Sequence, residues 1–193
     1  IDMARPTSEE KRKAILGAAE RMVAESGTGV STARIAREAG VAEGTVFVYF
    51  ETKAALMTAL LGELEAELAA AFSLDSRPGD DGRDDIYHAW SGLVAWGSTH
   101  PTKWRAMKRL KVSEYITEAS RKQMETLFAE ILAILSAVVR RHDVVSADYA
   151  ADILNALAEV TFERIAAEPK RNQYYTDRGF EIFWNGITAG KSG

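Results

Sequence analysis

The sequence contains no cysteine. Disulfides, thiolate metal sites and cysteine nucleophiles are therefore excluded, and a reducing cytoplasm is compatible with the absence. Histidine is scarce. His88, His100 and His142 are too scattered for a local metal motif. No Walker or dinucleotide-binding glycine loop occurs. Glu159 and Glu163 lie one helical turn apart, but no Glu-x-x-His accompanies them for a di-metal site. No catalytic residue, metal or cofactor is expected. No stretch approaches the roughly 18 uninterrupted apolar residues of a membrane span. The first residues are charged or polar rather than apolar, so neither a secretory signal nor a membrane partner is expected, and the expected location is cytoplasmic. Positive charge is also missing in sum. A net charge of −4 argues against a general nucleic-acid binder. It leaves room for a small DNA-reading module on a larger acidic body, because phosphate contacts are local.

What the sequence does hold is apolar residues at helical spacing. They form 47% of the chain, enough for the cores of one or two domains. From Ser8 to Glu25, Ile15, Ala18, Ala19, Met22 and Val23 share one face, with Ser8 as N-cap and Gly27 as stop. Ser31 or Thr32 caps a second short helix, with Ile35, Ala36 and Ala39 inward and Gly40 at its end. A third runs from about Glu43 to Phe50, with Val46 and Phe50 at i,i+4. A longer helix from Thr52 to Phe72 carries Leu56, Leu60, Leu61, Leu64 and Leu68. The stretch Ser73 to Asp84 is rich in Gly, Pro and Asp and reads as a loop. Further helices are expected over Asp85–Thr99, Pro101–Lys111, Ile116–Arg141, Ala147–Glu168 and Thr176–Ala189. No run alternates as a strand would, and no internal repeat appears. The fold class is all-α, about nine helices.

The second and third helices are too short to stand alone, yet they follow each other across Gly40-Val41-Ala42. A helix-turn-helix needs a small residue at the helix crossing, a residue tolerant of positive φ in the turn, and apolar residues that lock the pair at a steep angle. Counting Thr32 as the first position, Ile35, Ala36, Ala39, Gly40, Val41 and Val46 fill those slots in register. An ordinary αα-hairpin is the plainer alternative.

"IAREAGVAEGTVFVYFETKAAL" resembles the N-terminal signature of the TetR family of transcriptional regulators, close to "IAxxAGVSxGTxYxxFxxKxxL". The resemblance runs from about Lys13 to Leu61. It implies an all-α homodimer. A helix-turn-helix domain over 8–52 would bind a double-stranded DNA operator, and a helical domain over 53–193 would bind a small-molecule effector and dimerise. It further implies a repressor released by a small molecule, for which the tryptophan-rich stretch from Trp90 to Trp104 suggests an apolar or aromatic one. A small α-helical enzyme and a helical adaptor that never touches DNA are the alternatives, and the helix-turn-helix register speaks against both.

Within that reading Ser31 and Thr32 hold a phosphate at a helix start, or simply cap it. Arg34 reaches the backbone or a base edge, or is a solvated charge. Gly44 permits close approach, and Thr45, Tyr49 and Lys53 anchor phosphates, unless Tyr49 is a half-buried packing aromatic. Three departures from the family pattern bear on base reading. Ala42 stands where serine is frequent and gives up an N-cap worth about 1 kcal/mol. Phe47 stands where tyrosine is usual, and Val48 where an aromatic or polar residue is common. Glu43 is an acid on the DNA side. It accepts from a cytosine amino group or favours the helix N-terminus.

In the remainder, Trp90, Trp96, His100, Trp104 and Met107 are candidate effector-pocket residues, with plain core packing as the alternative. Phe180, Phe183, Trp184 and Ile187 form an i, i+3, i+4, i+7 stripe that suits a dimer bundle or an intrachain core.

Overall fold

The computed structural model describes residues 8–72, 81–143 and 145–189. Among them, all regular structure is helical: α1 (Ser8–Ser26), α2 (Thr32–Glu38), α3 (Glu43–Tyr49), α4 (Lys53–Ala71), α5 (Arg83–Thr99), α6 (Pro101–Lys111), α7 (Glu118–Glu125), α8 (Ala129–His142), α9 (Ala147–Ala167) and α10 (Asn172–Thr188). The run expected over Ile116–Arg141 is interrupted. A 3-10 turn at Thr126–Phe128 divides it into α7 and α8, which accounts for the tenth helix. The last helix begins four residues before the expected Thr176, at Asn172. Most of the loop expected over Ser73–Asp84 lies outside the described residues.

The chain forms two compact units. One takes the described residues of Ile1–Glu65 and Pro101–Met124, the other those of Ala66–His100 and Glu125–Gly193. The units do not follow a 52/53 division, because α6 and most of α4 group with α1–α3.

In the first unit, α1 packs on α6 and α2, and α2 on α3. Ile15, Ala18, Ala19 and Val23 of α1 are buried, as are Ile35 and Ala36 of α2, Val46 of α3, and Leu56, Leu60, Leu61 and Leu64 of α4. Polar contacts brace this core. Arg12 pairs with Glu63 at 2.6 Å, Arg21 with Glu38 at 3.0 Å, and Arg109 donates to the Val23 carbonyl at 3.0 Å. Glu65 is 4% exposed and pairs with Lys111 Nζ at 2.9 Å.

In the second unit, α9 packs against α5, α8 and α10. Trp90 is fully buried, and its indole N–H donates to the Thr176 carbonyl at 2.8 Å, which fastens α5 to α10. Gly179 makes that approach possible. A Cβ there would sit 2.6 Å from Trp90 Cζ2 and 2.9 Å from Thr161 Oγ1. Phe180, Phe183, Trp184 and Ile187 are all buried beside it. The stripe proposed as a dimer surface is therefore core within the chain itself. No described helix is long and apolar enough to cross a membrane.

Candidate nucleic-acid interface

The turn between α2 and α3 is built on hydrogen bonds that its sequence dictates. α2 ends when Gly40 enters the left-handed region at φ +68°. There the Val41 N–H reaches the Ala36 carbonyl at 3.0 Å, and the Gly40 N–H reaches Arg37 at 3.2 Å. This paired closure is the Schellman motif, which needs a residue without a Cβ penalty at positive φ. At the other end, Ser31 Oγ accepts from the Arg34 N–H at 3.3 Å and caps α2. Ala42 occupies the N-cap of α3 and makes no side-chain cap bond. A link across the turn stands nearby: Thr32 Oγ1 donates to Glu43 Oε1 at 2.7 Å.

α3 has two faces. Val46 is 1% exposed and Phe50, at its C-cap, 5%, and both point into the core with Ile35 and Ala36. At 100° per residue, Gly44, Phe47 and Val48 turn away from that buried pair, and Glu43 stands beside them in the first turn of the helix. All four are exposed, with Phe47 at 45% and Val48 at 80%. Thr45 and Tyr49 are half-buried along the flank. A Cβ added at Gly44 would meet nothing within 4 Å, so the fold itself does not require glycine there. Arg34 and Ser31 are exposed on α2. Lys53 opens α4, where Thr52 Oγ1 accepts from the Ala55 N–H at 3.0 Å and caps the helix. The Lys53 ammonium lies 4.9 Å from the centroid of the Tyr115 ring. Every DNA-reading candidate thus lies within the first unit, and each retains exposed surface. Sequence reasoning missed two features. Tyr115 stands beside Lys53 from 62 positions away, and no local signal announces it. Val48 was noted as a departure rather than as a contact, although its i,i+4 spacing from Gly44 places it on the outer face.

The pocket candidates divide differently. Trp90, Trp96 and His100 belong to the second unit, Trp104 and Met107 to the first. Trp90, Trp96, Trp104 and Met107 are buried. His100 is half-exposed and ends α5. Its Nδ1 lies 3.0 Å from the Trp96 carbonyl and 2.9 Å from Thr99 Oγ1. Its ring lies tilted against Trp96 at 5.5 Å. The Trp96 indole N–H is buried and makes no hydrogen bond to any described residue. A groove of about 530 Å³ runs along α5 and α10 and contains none of the five. Arg83, Tyr87, Tyr174, Asp177, Arg178 and Glu181 line it. Arg83 pairs there with Glu181 at 2.6 Å. Tyr87 donates to Asp177 at 2.7 Å, and that bond holds its hydroxyl pKa above the ordinary 10.0, with burial adding to the effect. No group of three or more potential metal ligands occurs among the described residues.

Residues 15–60 match the family described as bacterial regulatory proteins, tetR family. Solved structures resemble nearly the whole chain. A protein assigned to the tetR family of transcription regulators in Shewanella sp. PV-4 is 25% identical, over 91% of this chain and 96% of that one, with a TM-score of 0.76. A TetR family transcription regulator from Marinobacter aquaeolei VT8 is 22% identical, over 92% and 95%, with a TM-score of 0.78. NalD from Pseudomonas aeruginosa, the secondary repressor of the MexAB-OprM multidrug efflux pump, is 22% identical, over 93% and 97%, with a TM-score of 0.61.

Proposed function

From a chain whose N-terminal domain is that of the tetR family of bacterial regulatory proteins, we propose a DNA-binding transcriptional repressor that works as a homodimer and is released from its operator by a small molecule. The observation that carries the DNA reading is the two-sided α3. Its inner face is locked by Val46 and Phe50, and no described residue of the first unit covers Gly44, Phe47 and Val48 on its outer face or Glu43 in its first turn. Ser31, Thr32, Thr45, Tyr49 and Lys53 flank that face with hydroxyls and a charge suited to phosphates. A gel shift on the DNA flanking its own gene tests this. A retarded band that competitor DNA of unrelated sequence does not remove is the expected result.

The dimer reading rests on the outer faces of α9 and α10, since the inner stripe is committed to the core. Val160 is 57% exposed and Ile182 64%, and a Cβ at Gly186 would meet open space. Helices with such faces suit a bundle between two copies. Val160→Asp with Ile182→Asp should give a folded monomer by sedimentation, and a normal dimer would refute these faces as the interface. Effector control rests on the Trp96 indole, because a buried N–H without an acceptor among the described residues calls for an explanation and a ligand supplies one. The effector must bind the released conformation better than the DNA-bound one, since equal affinity shifts nothing. Apolar and aromatic compounds that quench tryptophan fluorescence should release DNA over the same concentration range.

A further inference from the structure

The outer face of α3 holds no side chain that donates a hydrogen bond. Its members, with Glu43 of the first turn, are a carboxylate, a glycine, a phenyl ring and an isopropyl group. From Glu38 to Thr52 the chain has no Arg, Lys, His, Asn or Gln at all. Guanine is read in the major groove chiefly by Arg or Lys, and adenine by Asn or Gln, each through paired hydrogen bonds. Neither mode is open to α3. One of the two Glu43 oxygens already accepts from Thr32 at 2.7 Å. The other oxygen leaves room for one cytosine amino group, and the rest of the face is the apolar pair, Phe47 at 45% exposure and Val48 at 80%, beside a glycine that lets the backbone draw near. A single feature of the major groove answers an apolar side chain, and that is the C5-methyl group of thymine.

We propose that α3 selects its DNA site through thymine methyl groups packed against Phe47 and Val48. The inference rests on the DNA-binding reading and gives it a base preference. Sequence discrimination by α3 is then mainly apolar, while affinity comes from the phosphate contacts that flank this face. Removing a contacted methyl weakens binding without changing the number of phosphates neutralised, so the salt dependence stays as it was.

The test starts from purified full-length protein and a random duplex library, because no operator is assumed. Sequences retained in successive gel shifts are resynthesised with deoxyuridine in place of each thymine, which deletes the methyl and keeps the base pairing. Loss of one buried methyl should weaken binding about fourfold, and about fifteenfold when it is lost from both halves of a two-fold site. Phe47→Ala and Val48→Ala should each bind more weakly and lose the penalty at its own thymine, and the salt slope should not change. If deoxyuridine at every thymine leaves affinity within about twofold, the methyl readout is overturned while the DNA reading survives. The same holds if the penalty persists undiminished in both alanine variants. Failure to enrich any sequence overturns the DNA reading and this inference with it. Both side chains are exposed, so their truncation is not expected to unfold the chain, and a helical circular dichroism spectrum verifies that for each variant.

Discussion

Phe47 on α3 and Phe183 on α10 both stand in apolar patterns at helical spacing, yet one is 45% exposed and the other 1%. The difference lies in how much of each helix its neighbours claim. α3 spends Val46 on the core and keeps Phe47 and Val48 outside. α10 spends its whole aromatic stripe on the core. Phe180 stacks on Trp184 with ring centroids 6.0 Å apart and meets Tyr87 edge-on at 4.9 Å. Helical periodicity therefore identifies a face but not what covers it. The motif register around Gly40 is what marked the face of α3 as one left for DNA.

The largest effect should come from exchanging the two phenylalanines for alanine. Phe183→Ala empties a packed site and should cost about 3–5 kcal/mol in urea unfolding. Phe47→Ala should cost about 1 kcal/mol or less, because nearly half of the side chain is already in water. DNA binding should respond in the opposite order at temperatures where both variants stay folded. Equal destabilisation by the two changes would erase the distinction between the faces.

The glycines sharpen the same contrast at a smaller scale. Gly179→Ala drives a methyl to within 2.6 Å of the Trp90 ring and should cost about 1–3 kcal/mol. Gly44→Ala enters open space, and replacing glycine in a helix should add up to about 1 kcal/mol of stability. It should nonetheless weaken DNA binding, since the added methyl stands where the groove must approach. A Gly44→Ala protein that is more stable and binds DNA as before would show that α3 does not dock closely at that point.

The first unit was legible in the sequence because its constraints are local. Gly40 takes positive φ, Ile35, Ala36 and Val46 are buried, and Ala42 fails to cap α3, all as the residue types imply. The second unit was less legible because its decisive contacts are remote. Trp90 finds its hydrogen-bond acceptor 86 positions away, at Thr176. Apolar spacing runs on through Thr126–Phe128, so the 3-10 turn that splits α7 from α8 left no periodic trace. Trp96 and Trp104 are near in sequence but fall in different units. Pro101, the first residue of α6, was the available sign that the aromatic run belongs to two helices.

Charge gives a smaller, more specific handle on the exposed region. Lys53→Ala removes an ammonium held over the Tyr115 ring at 4.9 Å. If Lys53 neutralises one phosphate in each copy of a dimer, the plot of log affinity against log salt should flatten by about 1.8. Stability should change little, because exposed cation–π contacts contribute about 0.5–1 kcal/mol. An unchanged slope would remove Lys53 from the phosphate contacts and leave its role with Tyr115.

The smallest expected effect belongs to the groove of the second unit and is visible only at alkaline pH. Tyr87 donates to Asp177 at 2.7 Å, while Gln173 donates to the same carboxylate oxygen at 2.8 Å and to the Tyr87 oxygen at 3.3 Å. A hydroxyl that donates to a carboxylate resists ionisation, and partial burial opposes the phenolate further, so the folded-state pKa lies above 10.0. A group raised in this way stabilises the fold fully below its unfolded pKa, and the contribution fades as pH climbs through the folded value. Tyr87→Phe keeps the ring against Phe180 and removes only the hydroxyl. It should cost about 1 kcal/mol or less near neutral pH, since part of the residue faces water that screens the bond. The gap between the two proteins should stay level up to about pH 10 and narrow beyond it, in urea titrations run side by side. A gap that holds steady well above that pH would mean the hydroxyl contributes by packing rather than by its bond to Asp177.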